Sequence, residues 1–149
     1  MSPPDTKLLL LEELEDLKRM ASHLAKSLDR CADIDVSSGR ADLTDERVEA
    51  FTSRFARTAD LLVNKALRTL DLHELESPGS LLDVLQRAEK RGIINSAREL
   101  RLIKNLRNAI AHDYAGDNIS ETFELCRQWT PTLLSATQRL DDYASNLPE

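Results

Sequence analysis

From Leu10 onward, apolar side chains recur at alternating steps of four and three, through Leu14, Leu17, Ala21, Leu24, Leu28 and Cys31. Only a helix brings those positions onto one face, so the spacing predicts a first helix over about residues 7 to 32. Val48, Phe51, Phe55, Leu62, Ala66 and Leu70 repeat the same period. With only 4 glycines, 5 prolines and 4% aromatic residues in the chain, strands lack the residues that fit a pleated surface. The expected class is all-α.

Local signals divide the rest. Ser37-Ser38-Gly39-Arg40 breaks the first pattern, and Thr44 before Asp45 and Glu46 is a good start for a second helix reaching about residue 72. Ser77-Pro78-Gly79 ends it. Ser80 caps a short third helix with Leu81, Leu82 and Leu85, which stops near Gly92 because glycine readily turns left-handed after a helix. Ser96-Ala97-Arg98-Glu99 reads as a capping box opening a fourth helix, with Gly116 as its exit. Asn118 and Glu121 cap a fifth, carrying Trp129, Leu133, Leu134, Leu140 and Tyr143, in which Pro131 either kinks the helix or starts a new segment. Short connections favour antiparallel neighbours, so residues 1–149 are expected to form one domain, an up-and-down bundle of four to five helices.

The longest apolar run, Leu8 to Leu11, is followed at once by Glu12, Glu13, Glu15 and Asp16. That excludes a membrane span and a secretory segment. Cys31 and Cys126 form no metal-binding or disulfide pattern, and His23 and His73 read as surface residues without ligand partners. A soluble, cytoplasmic chain without metal or cofactor is expected. Its net charge of −6 disfavours broad binding to nucleic acid. The charge is uneven, however: residues 87 to 107 hold Arg87, Lys90, Arg91, Arg98, Arg101, Lys104 and Arg107 against Glu89 and Glu99, a net of +5. A basic strip on an acidic body suits a local anion site.

On the fourth helix, Leu102, Ile103, Leu106, Ala109 and Ile110 project onto one arc of roughly 120°, expected to face the core. Lys104, Asn108, Arg101, His112 and Asn105 gather opposite, with Asn108 and His112 one turn apart and no carboxylate among them. Arg107 and Tyr114 lie at the edge of the apolar arc, about 140° from His112 in a regular helix. For Arg107 and His112 to meet, the helix must distort or end near His112, or a second chain must bring its own copy across a two-fold interface. The homodimer is the more economical solution. Trp129 and Phe51 fall within apolar patterns and are expected in the core.

Arg107-x4-His112-x-Tyr114, introduced by Leu106 and followed by Asn108, resembles the R-x4-H-x-Y motif of HEPN (higher eukaryotes and prokaryotes nucleotide-binding) domains. It is especially similar to the toxin of HEPN/minimal nucleotidyltransferase (HepT/MntA-type) toxin–antitoxin systems. The resemblance implies a homodimeric, metal-independent endoribonuclease whose cleft is shared by two chains. His112 would act as general base on the RNA 2′-OH or as general acid on the departing 5′-oxygen, chemistry suited to an imidazole. Arg107 would hold the scissile phosphate, Asn108 would position phosphate or His112, and Lys104 and Arg101 would bind flanking phosphates. By the same resemblance, Tyr114 is where a partner nucleotidyltransferase antitoxin would attach AMP to silence the toxin. The competing expectation is a catalytically silent module that binds nucleotide or RNA and pairs with a nucleotidyltransferase.

Overall fold

In the computed structural model, residues 5–35, 46–112 and 119–148 are described. The described residues contain helices and no strand: α1 (Thr6–Arg30), α2 (Glu46–Asp60), a π-helical segment (Leu61–Ala66), α3 (Leu67–His73), α4 (Leu81–Lys90), α5 (Ala97–His112) and α6 (Ile119–Ser145). Because α2, the π segment and α3 run on without a break, five helical rods result. The proposed caps Thr44 and Asn118, the exit Gly116 and the motif residue Tyr114 lie outside the described residues.

Cross-contacts give the directions of the four long rods. Cys31 Sγ reaches the Arg47 carbonyl at one end of α1, and Thr6 Oγ1 meets His73 Nδ1 at 2.7 Å at the other, so the first two rods are antiparallel. Lys7 reaches Pro148, and Arg127 donates to the carbonyls of Cys31 and Ile34, so α6 also opposes α1. Arg139 bonds Asn95 just before α5, which opposes α6. The rods therefore run alternately up and down, with the short α4 packed against α3 and α5. None of the helices is long and apolar enough to cross a membrane.

The seam of α1 lies within the chain: Leu10, Leu14, Leu17, Ala21, Leu24 and Cys31 are buried, with Leu28 packed beside them. Phe51 and Phe123 meet edge to face, centroids 5.7 Å apart, joining α2 to α6. Trp129 is only half-buried but packs on the core. Pro131 neither ends nor divides α6, which continues through it. The cap at Ser80 is reciprocal: its hydroxyl accepts from the Asp83 N–H, and the Asp83 carboxylate accepts from the Ser80 N–H. Gly92, at φ +79°, closes α4 while Ile93 N–H returns to the Ala88 carbonyl.

Three expectations are corrected. His73 is not a surface loop residue; it is the last residue of α3, half-buried against Thr6. Leu102 and Ala109 do not face the core, for both are exposed. The inward face of α5 is Ala97, Leu100, Ile103 and Leu106, with Arg107 and Ile110 beside them, because the fully buried Leu100 and Ile103 centre the apolar stripe there; from its edge Arg107 and Lys104 meet a carboxylate on the second rod. The basic strip is also less basic than its composition. Arg91 pairs with Asp71 and Glu74, and Arg87 with Asp71 and Glu76, so only part of the +5 faces solvent uncompensated.

Candidate functional site

The last residue of α2 is Asp60, immediately before the π segment, and it organises the motif helix. Arg107 Nε lies 2.8 Å from Asp60 Oδ1 and donates to Oδ2 at 2.9 Å. Lys104 Nζ donates to Oδ1 at 3.3 Å, as does Asn64 Nδ2 from within the π segment. One carboxylate thus holds two motif cations, both partly shielded from water. Sequence reasoning missed Asp60 because an acid four residues before an Asn in an apolar stretch looks like any solvated helix position. Its one distinguishing signal was the inward angle of Arg107, which demanded a buried-side partner.

Arg107 also donates from Nη1 to Asn108 Oδ1 at 3.4 Å. The structure therefore brings together Arg107, Asn108 and Lys104. Arg101 and His112 are exposed, on the side of α5 turned away from Asp60. Along that exposed side, Arg98, Leu102, Asn105, Ala109 and His112 follow one another at steps of four and three. This is the spacing of a helix seam, here turned to solvent.

Arg107 lines a groove of about 420 Å³ between three helices. Glu49, Ser53 and Ala56 come from α2, Ile110 from α5, and Ile119 from the start of α6. Its lining combines apolar side chains with the hydroxyl residues Thr52, Ser53 and Thr122 and two charged residues, Glu49 and Arg107.

The other charged cluster is structural. Asp71 is buried under Arg87 and Arg91, and Tyr143 donates its hydroxyl to Glu74. Burial alone would lower the Arg91 pKa, but the hydrogen bond and charge of Asp71, with Glu74 and Tyr143, carry it above the usual arginine range. Burial pushes the Cys126 thiol up to about 12, which makes it a packing residue and a poor nucleophile. Among the described residues no cluster of His, Cys, Asp and Glu is arranged to hold a metal ion.

Comparison with family models, with curated proteins and with solved structures yields no match to the chain.

Proposed function

We propose that this chain is a metal-independent endoribonuclease toxin that works as a homodimer. The observation that carries the reading is the division of α5: Arg107 is fixed by Asp60 on the inner side, and His112 lies at the end of a solvent-facing seam. Two copies meeting along Arg98, Leu102, Asn105, Ala109 and His112 would bring the two motif helices and both copies of His112 together, with each Arg107 on the inner side of its own helix. RNA carries its own nucleophile, so the protein has to supply proton transfer from His112 and charge stabilisation from Arg107, with Asn108 beside it. Lys104 and Arg101 would serve flanking phosphates, Arg101 more freely because Lys104 already has a counter-ion. A partner nucleotidyltransferase would silence the toxin by adding AMP to Tyr114, four residues beyond the groove-lining Ile110.

The test is incubation of the purified protein with RNA in excess chelator, beside the same substrate carrying 2′-deoxy nucleotides. Cleavage of the ribose substrate to a 2′,3′-cyclic phosphate and a 5′-hydroxyl is expected. Cleavage of the deoxy substrate would eliminate 2′-OH attack.

One observation favours the second reading, a catalytically silent HEPN-like module that binds nucleotide or RNA beside a nucleotidyltransferase: Asp60 already offsets part of the charge on Arg107 and Lys104. The readings part at His112→Ala. A toxin loses its growth arrest on overexpression with that change, whereas a scaffold behaves as before.

A further inference from the structure

A guanidinium has two edges that bind separately. In Arg107 the Nε edge is occupied by Asp60, and Nη1 spends one hydrogen on Asn108. Nη2 has no partner among the described residues, and the side chain keeps 30% of its surface exposed where it meets the groove. Asp60 is itself held from two sides, by Lys104 from α5 and by Asn64 from the π segment. Wherever a π turn interrupts an α-helix it changes the angle at which flanking side chains leave the rod, and such turns are frequent at functional sites.

We infer that Asp60 is a positioning residue that fixes Arg107 so that its Nη edge receives a phosphate oxygen of a ligand lying in the groove between α2, α5 and α6. The charge balance permits it. Asp60 is one negative charge between two positive ones, so the cluster stays cationic and attracts an anion. Glu49 also lines the groove, eleven residues before Asp60 on the same rod, and among the described residues Arg107 makes no hydrogen bond or ion pair with it. Locking the Nε edge restricts a long side chain before the ligand arrives, which lowers the ordering cost of binding and aims the remaining donors. The hydroxyl of Ser53 and the apolar surfaces of Ala56, Ile110 and Ile119 then face the organic part of the ligand. The inference rests on the ribonuclease reading for the ligand class, a nucleotide of an RNA strand, and on the geometry alone for the role of Asp60.

The experiment uses a fluorescent 2′-O-methyl oligoribonucleotide, which cannot be cleaved by 2′-OH attack, with binding followed by anisotropy. Asp60→Asn keeps the size of the side chain and removes its charge; it is expected to weaken binding about tenfold despite making the protein less acidic. Arg107→Lys keeps the charge and loses the fork, and is expected to weaken binding comparably. In the wild type, the Nε–H resonance of Arg107 should stay protected when the probe is added, because the ligand takes the other edge. Unchanged or tighter binding by Asp60→Asn would overturn the inference, since Asp60 would then be only a competing counter-ion. If Asp60→Asn does not fold, Arg107→Lys decides: binding equal to wild type overturns the positioning role. No binding of the probe by wild type also overturns it. Binding that responds to both variants, with all-ribose RNA left uncut, supports the positioning role and rejects the ribonuclease reading.

Discussion

Leu75 shows how one residue can work against the fold that contains it. It follows α3 at φ +62°, with Glu76 N–H returning to the Asp71 carbonyl at 2.8 Å, the closing geometry in which glycine is usual. A leucine there pays about 1–2 kcal/mol for its Cβ, and with 59% of its surface exposed it recovers little by burial. Leu75→Gly is therefore expected to stabilise the protein by about 0.5–1 kcal/mol after the extra chain entropy of glycine. Urea unfolding checks it, and a lower midpoint would show that the side chain packs on something this geometry does not reveal. Asp60 teaches the complementary lesson. The carboxylate that fixes Arg107 comes from 47 residues away, so spacing within the motif helix gave Arg107 an angle without naming the group it points to.

At the scale of elements, the helices were legible wherever a stripe met a cap. Ser80 and Gly92 bound α4 as their chemistry demands, and the α1 seam is buried as its spacing implies. The π segment was not legible. Its buried residues Leu62, Val63, Ala66 and Leu67 follow Ala59 at the three-and-four spacing that an ordinary α-helical face also shows, so the apolar pattern carries no sign of the wider turn. Rotation of α5 escaped because the arc drawn from Leu102 to Ile110 omits Leu100, whose full burial turns Leu102 and Ala109 outward; nor can such an arc show that Lys104 and Arg107 share a carboxylate. The α4 cap gives this scale its prediction. The hydrogen bonds from the Ser80 backbone and hydroxyl hold the Asp83 carboxyl below its ordinary value of 3.8. A depressed folded-state pKa adds stability that is present above that ordinary value and lost as pH falls through the lower folded one. Asp83→Asn should thus lower Tm at neutral pH by an amount that shrinks as pH falls below 3.8. A Tm difference that stays constant down to about pH 2 would detach the cap from the charge of Asp83.

For the whole molecule, the question is why α5 turns a seam outward after its own chain has been packed. The four long rods already bury a continuous core, so Arg98, Leu102, Asn105, Ala109 and His112 are not needed to complete it. Leu102 keeps 45% of its surface exposed in the middle of this seam, a position that a solvated helix face would fill equally well with a charge. If two copies meet there, as the proposed composite site requires, Leu102→Glu places like charges across the two-fold contact and should convert the dimer to a monomer. The same change in an isolated chain touches no core residue, so unfolding free energy measured on the monomer should move by no more than about 0.5 kcal/mol. Sedimentation, urea unfolding and RNA cleavage on one preparation separate the possibilities. Dissociation with loss of cleavage and an intact monomer fits a site built from two chains. A Leu102→Glu protein that is monomeric yet cleaves RNA at the wild-type rate would show that Arg107 and His112 act within one chain. A wild type that is already monomeric at working concentration, and active, would lead to the same conclusion by a shorter route.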